Sequence, residues 1–294
     1  MIAARAAAGY HVLAATPSWV RVYQTAMRPA RVLFESPLVR ICEVACDAPR
    51  GGDAGVEVKE ISCIAFPLRG CFAVERQAQT IVADANTAMF FDTATPHRVS
   101  HPADSGDLSL TLTLDDAATA DAFGGSLPAT HAPVDPALQL RIRLLRRSIA
   151  AGAGTLAIEE AALAIAAELA GLVRTRLTHA RFAGVERAKA FLGQHFRNRV
   201  LLADAARAAG TSPFWLARAF PWATGMTMHR YLVALRHADV LDALSSGETN
   251  LARAAVDAGF AHHSHLTKTL SRAFGTTPSA LRLQIAAPRG ADRR

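Results

Sequence analysis

The chain has 294 residues, 51% of them hydrophobic and 19% charged, with a formal net charge of +7. That length and apolar content suit about two domains with a core each, and no apolar run approaches the roughly 20 residues of a bilayer-crossing helix. The charge is uneven: residues 181–294 hold 16 Lys/Arg against 7 Asp/Glu, a net of +9, leaving residues 1–180 at −2. A basic module joined to a mildly acidic one is the electrostatic footprint of a nucleic-acid-binding domain attached to something else.

Residues 1–34 show no clear pattern and are left unassigned. Gly9, Tyr10 and His11 interrupt any apolar core near the start, so no cleaved signal peptide is expected and the chain reads as cytoplasmic. Met27 offers an alternative start. From Pro37 to Leu114 short apolar or β-branched stretches follow one another: Val56–Lys59, Ile61–Phe66, Cys71–Val74, Thr80–Val82 and Leu108–Leu114. In the last of these, leucines alternate with Ser109, Thr111 and Thr113, the period of a half-buried strand. Pro67, Gly70, Asp84, Asn86, Pro96 and Pro102 punctuate the segment as turns. The expectation for residues 35–134 is a small β-barrel or sandwich.

His97 and His101 are spaced H-x₃-H, with no H-x-H pair and no acidic residue at an obvious partner position, so neither a metal nor another cofactor is expected. Arg69, His97, Arg98 and His101 are instead candidates for binding an anionic effector, with solvated turn residues as the competing reading. The four cysteines (Cys42, Cys46, Cys63 and Cys71) all fall in this half. Without an export signal they read as reduced, buried small residues rather than disulfides, with a thiol sensor as the minor alternative. Residues 135–183 form a helical linker: Leu138–Ala150, then Gly152 and Gly154, then Thr155–Leu177. In the second helix Leu156, Leu163, Ile165, Leu169 and Leu172 make two apolar sides around Glu159 and Glu160, which suits dimerisation or packing on the β-domain.

The C-terminal part holds an internal repeat. Residues 202–210 and 251–259 both read L-A-x-A-A-x-x-A-G, and Leu216, Arg218 and Gly225 after the first correspond to Leu266, Lys268 and Gly275 after the second. Leu202, Ala205, Ala206 and Ala209 share one helical face, and Gly210 supplies the turn. Ser212 and Pro213 then suit the cap and first position of a second helix, with Leu216, Ala219 and Phe220 turned inward. Leu251, Ala254, Ala255, Ala258 and Gly259 repeat the plan, followed by a helix around Leu266 and Leu270. Helix, glycine turn and helix, twice over, is the layout of a duplicated helix-turn-helix, whose second helix enters the major groove of DNA. His262, His263 and His265 lie too close together on one short helix to converge on a tetrahedral ion.

The run S-P-F-W-L-A-R-A-F…T-G-M-T-M-H-R-Y-L…L-R (Ser212 to Arg236) resembles the AraC/XylS family of bacterial transcription regulators. So does A-A-x-x-A-G-F-A-H-H-S-H-L-T-K-T-L-S-R-A-F-G-T-T-P-S-A-L-R (Ala254 to Arg282). The resemblance covers residues 184–285, with 286–294 as a disordered tail. It implies two helix-turn-helix subdomains joined by a long helix near Thr227–Leu244, behind a cupin-like N-terminal sensor of a small molecule. The overall expectation is an α+β protein: sensor barrel, helical linker, all-α DNA-binding domain. Carried over to this chain, the DNA-facing positions are Ser212, Phe214, Trp215, Ala217 and Arg218, then His262, His263, Ser264, His265 and Lys268. Lys268 replaces a common arginine, Leu270 a common phenylalanine, and Pro221 is expected to kink or shorten the first recognition helix.

The resulting expectation is a non-enzymatic regulator whose promoter binding responds to an effector. Its partners would be promoter DNA, RNA polymerase and a second copy of itself, with no membrane. The competing readings are a cupin-type metalloenzyme and an alkylation or thiol sensor carrying a DNA-binding module.

Overall fold

The computed structural model of the protein describes residues 30–46, 53–77, 79–102, 106–175 and 182–286. Of the start left unassigned, residues 1–29 with Met27 lie outside the described residues, as does the tail from residue 287, whereas residues 31–34 belong to a strand. The N-terminal part is built from two antiparallel sheets. The larger runs β1 (Arg31–Glu35), β2 (Val39–Cys46), β9 (Asp107–Leu114), β4 (Cys63–Gly70), β7 (Thr87–Phe91) and β10 (His131–Pro133). The smaller runs β3 (Asp53–Glu57), β8 (His97–Ser100), β5 (Phe72–Arg76) and β6 (Gln79–Ala83). Strand alternation assigns the faces. Cys63, Ala65, Met89 and Phe91 of the large sheet meet Phe72, Val74, Ile81 and Val99 of the small one. Ile64, Phe66, Ala88, Phe90, Leu110 and Leu112 point the other way, onto helices.

Those helices are α1 (Asp116–Phe123), α2 (Pro136–Ala150) and α3 (Thr155–Thr175). Asp135 starts α2 by accepting the Leu138 N–H at 2.8 Å, with Pro136 at the first position. Leu138, Ile142 and Leu145 of α2 and Ile158, Ile165 and Leu169 of α3 cover the large sheet, so the expected linker helices pack on their own β-domain. Leu156, at the first turn of α3, is instead exposed. Two further local expectations are corrected. Pro67 lies within β4, where the register slips between Pro67 and Arg69; a bulge tolerates a residue without an N–H. Ser109, Thr111 and Thr113 of β9 are buried, so both faces of this strand are covered and the polar one looks into the sandwich.

The C-terminal part is two three-helix lobes sharing one long helix. α4 (Ala183–His195), α5 (Leu202–Ala209) and α6 (Pro213–Thr224) make the first; α8 (Leu251–Asp257), α9 (His263–Phe274) and α10 (Pro278–Ile285) make the second. α7 (Met228–Ser245) gives Tyr231, Leu232 and Leu235 to the first core and Val240, Leu241 and Leu244 to the second. The repeat's alanines are buried as expected, but Leu202, at the very start of α5, is 41% exposed. Arg282 closes the second lobe, donating from Nη1 to the Thr249 carbonyl at 3.1 Å.

α2 joins the two parts. Leu140 and Leu144 on its far side pack against the second lobe's core. Arg143, fully buried, donates from Nη2 to the Leu68 carbonyl of β4 at 2.9 Å and to the Ala238 carbonyl of α7 at 3.0 Å. Burial lowers its pKa to about 10, so it stays charged at neutral pH, held by the two carbonyls. Beside it the β6–β7 turn reaches α7: the Tyr231 hydroxyl lies 2.7 and 2.6 Å from the two oxygens of Asp84. Asn86 Nδ2 donates to the Tyr231 carbonyl at 3.1 Å, and Gln139 of α2 donates to Asn86 Oδ1 at 2.7 Å.

Gly259 has φ +84°, and an added Cβ would stand 2.4 Å from the Arg197 carbonyl oxygen. Gly247 has φ +95° with open space around it. Gly259→Ala is therefore expected to cost more than about 2 kcal/mol in urea unfolding, and Gly247→Ala only about 1 kcal/mol of backbone strain. Equal costs would mean that the close approach to Arg197 contributes nothing.

Candidate nucleic-acid interface

Each lobe presents one helix with a buried side and a bare side. In α6 the Ser212 hydroxyl accepts the Trp215 N–H at 3.1 Å, while Leu216 and Phe220 are fully buried. Ser212, Phe214, Ala217 and Arg218 are exposed. The Arg218 guanidinium lies 5.6 Å from the Phe214 ring centroid, a cation–π contact that limits the freedom of a long side chain. Trp215 has a second role: its ring meets Phe182 edge-on at 5.5 Å and packs on Gly184 of α4. Pro221 does not shorten the helix, which continues to Thr224 and closes with Gly225 N–H donating to the Pro221 carbonyl at 2.9 Å. The missing N–H would have bonded the carbonyl of Ala217, a residue on the exposed side of the helix.

Trp222 is the exposed aromatic that sequence reasoning passed over, at 73% accessible. Phe214, Arg218 and Trp222 are spaced by four and so form a single stripe. That spacing was the available signal.

In α9 the cap is a histidine. His262 accepts the His265 N–H at Nδ1, 3.2 Å away. His262, His263, Ser264 and Lys268 are exposed. His265 is half-buried, edge-on to Phe260 at 5.4 Å; burial first, and then its cationic neighbours, lower its pKa. Behind α9 lies a histidine that the sequence did not single out. His237 of α7 is 2% exposed, stacked on Phe260 at 5.7 Å, with Nε2 3.1 Å from the Thr269 hydroxyl. Burial pushes its pKa down to about 4.

The four effector candidates do not converge. Arg69 is exposed beside a cleft between β4, α4 and α7. His97 and His101 face the sandwich interior, while Arg98, between them, faces away and is half-buried. His97 Nε2 lies 3.5 Å from Glu57 Oε1, and Lys59 Nζ lies 3.2 Å from the same oxygen. Contact with His97, then the charge of Lys59, holds the Glu57 carboxyl down at about 2 against the effect of burial. Glu57, Lys59, Asp107, Ser109 and Thr111 line a cavity of about 320 Å³ between the sheets. The polar half of β9 was the sequence signal for it, read there as a solvent face.

Among the described cysteines, burial raises the thiol pKa of Cys42, of Cys63 to about 11 and of Cys71 to about 12. These three are protonated, shielded thiols, the opposite of what a thiol or alkylation sensor uses. No helix among the described residues is long and apolar enough to cross a membrane.

Comparison with known proteins agrees with the repeat. Residues 205–284 match the family described as "Helix-turn-helix domain". No curated protein matches the chain. Among solved structures, ToxT from Vibrio cholerae is 10% identical, with 84% of this chain and 99% of that one aligned at a TM-score of 0.36. The same protein with bound unsaturated fatty acid is 11% identical over 90% and 100%, at 0.37. A transcriptional regulator with an AraC-type DNA-binding domain from Chromobacterium violaceum is 23% identical over 36% and 94%, at 0.34.

Two lobes with a helix-turn-helix each, in a segment that matches that domain family, define a DNA-binding transcription regulator.

His237 sits in the core behind α9 and predicts a pH dependence. Its pKa is lowered on folding, so the unfolded chain takes up the proton first as pH falls below 6.5, and stability drains until the folded pKa of about 4. The loss by pH 4 is on the order of 3 kcal/mol. Urea unfolding at pH 7 and pH 4 should show this, and His237→Leu should remove most of the difference. An unchanged difference in the variant would clear His237 of responsibility.

Proposed function

We propose that this protein binds promoter DNA sequence-specifically through α6 and α9, and that a small molecule in the N-terminal β-domain modulates that binding. The observation that carries the reading is the pair of recognition helices, each bare on one side and both fixed to a single helix of 18 residues. Such a helix is about 27 Å long, which suits two reading heads on successive major grooves roughly 34 Å apart. Lys268 and Arg218 supply phosphate or guanine contacts, Ser212, His262, His263, Ser264 and His265 hydrogen bonds, and Phe214, Trp215 and Ala217 apolar contacts to thymine methyls or sugars.

The division proposed is a sensor over 35–134, helices over 135–183 and a DNA-binding domain over 184–285. The effector is assigned to the cavity between the sheets. Val44, Phe72 and Phe91 offer it apolar walls, and Lys59 and Glu57 offer charge. That composition suits a mainly apolar molecule with one polar end. The effector changes output only by favouring one arrangement of the two parts over another, and α2, touching both, is the element that would report it. The reading includes a homodimer, which gains affinity by occupying two half-sites, and contact with RNA polymerase. It is non-enzymatic: Arg69, His97, Arg98 and His101 do not form one reaction centre.

The test is binding of the full-length protein to upstream regulatory fragments across a salt series. Lys268→Ala should weaken binding and reduce the slope of log affinity against log salt by about 1. No preference over scrambled competitor would refute the reading, and an unchanged slope would take Lys268 off the phosphates.

A further inference from the structure

The strand register puts Cys46, at the end of β2, directly opposite Asp107, the first residue of β9. His101, just after β8 of the other sheet, closes over them: its Nε2 lies 3.0 Å from Asp107 Oδ1. One sulfur, one imidazole nitrogen and one carboxylate oxygen of the three residues all lie within 4.8 Å of one another. His101 and Asp107 are buried, at 5% and 8% exposed, and Cys46 is half-buried. The other ring nitrogen of His101, Nδ1, is buried with no hydrogen-bond partner among the described residues.

We infer that Cys46, His101 and Asp107 form a binding site for a thiophilic divalent cation, zinc first. The donor set decides the class. A thiolate with an imidazole suits zinc and its neighbours in the first transition row, and excludes magnesium and calcium, which take oxygen ligands. Three protein ligands with one open position are a usual zinc arrangement. Bonds of 2.0–2.3 Å to a tetrahedral ion place ligand atoms roughly 3.3–3.8 Å apart, so the His101–Asp107 pair, now 3.0 Å apart, opens slightly and the sulfur closes by at most about 1.5 Å. The Ser109 hydroxyl donates to Asp107 Oδ2 at 2.8 Å, leaving Oδ1 toward His101 and orienting the carboxylate, as outer contacts do in metal centres. A His–Asp hydrogen bond alone does not account for the converging thiol.

Binding releases the Cys46 thiol proton to solvent and leaves the oxidation state of the metal unchanged. The position of the site gives the ion two neighbours. Asp107 also lines the cavity between the sheets, so the fourth coordination position is within reach of water or of an oxygen on a molecule held there. Pro102, next to His101, accepts a hydrogen bond from Gln194 of α4, so the ion sits one residue from a contact with the DNA-binding part. Sequence spacing could not disclose the set, because its members are 55 and 6 residues apart and only the β2–β9 pairing unites them. The expectation of no metal rested on the missing H-x-H pair and on the lack of an obvious acidic partner, the place that Asp107 takes in this proposal.

The test uses full-length protein freed of metal by chelator dialysis and titrated with Co²⁺. One equivalent should develop a thiolate-to-cobalt charge-transfer band in the near ultraviolet, and one equivalent of Zn²⁺ should abolish it. Cys46→Ser should lose the band, His101→Gln and Asp107→Asn should weaken zinc at least about tenfold, and Cys42→Ser should change nothing. Circular dichroism checks that each variant is folded. If His101→Gln or Asp107→Asn fails to fold, Cys46→Ser, at a half-buried strand end, carries the test. The inference is overturned if the wild type takes up no stoichiometric ion. It is equally overturned if the band survives in Cys46→Ser, or if uptake occurs without a band and is lost on replacing His262 and His263. None of these outcomes bears on whether the protein binds DNA.

Discussion

Asp84 is completely buried, and its two oxygens share the hydroxyl proton of Tyr231, which belongs to the first DNA-binding lobe. The Asn86 N–H at 3.0 Å and the Thr87 hydroxyl at 3.3 Å also donate to Asp84 Oδ1. A carboxylate out of water is tolerated only when its oxygens are so occupied, and burial still raises its pKa, opposed chiefly by the nearby Lys189 ammonium. Because the donors come from both parts of the chain, the group would be left under-bonded if they separated. That ties the position of α7 to the β6–β7 turn. Arg143 does the same between β4 and α7 with the opposite charge. On α4, Glu186 accepts both the Val82 N–H of β6 at 2.7 Å and Lys189 Nζ at 3.0 Å. A polar seam therefore runs across the junction, satisfied only while the parts are together.

This seam gives the two lobes their context. α7 is a rod through both cores, and its first half is pinned to the β-domain by Tyr231 while Ala238, near its middle, is held by Arg143. A displacement of the β6–β7 turn or of β4 is therefore applied directly to the helix that spaces α6 and α9. The polar groups of such a junction can be resolvated if its two sides separate. An apolar interface of equal area would lack that reversibility.

Much of the C-terminal part was legible because its determinants are local. Alanine at i+3, i+4 and i+7, a glycine turn and a serine–proline start depend on near neighbours only, and the helices formed where those signals stood. Where the sequence misled, a distant partner decided. Leu202 has the repeat's spacing but stands exposed at the first turn of its helix, and Pro221 is accommodated within a helix that runs on to Thr224. In the N-terminal part, Leu108–Leu114 gave its strand through period 2. The face of Ser109 and Thr111 depended on a second sheet supplied by residues elsewhere in the chain. Asp84, Asn86 and Arg143 read locally as turn and helix residues; nothing near them in sequence announces Tyr231 or Ala238. Cys46, His101 and Asp107 are the same case.

The polar seam makes the backbone amide of Val82 a reporter, since its acceptor is a carboxylate on α4. Native-state hydrogen exchange of that amide, compared between wild type and Tyr231→Phe, tests the coupling most directly. If the junction acts as one unit, removing the hydroxyl that bonds Asp84 on the β6–β7 turn will speed exchange at Val82 by about tenfold, the equivalent of about 1.4 kcal/mol. An unchanged rate at Val82, with Tyr231→Phe effects confined to the β6–β7 turn, would show that the two parts are held by independent contacts.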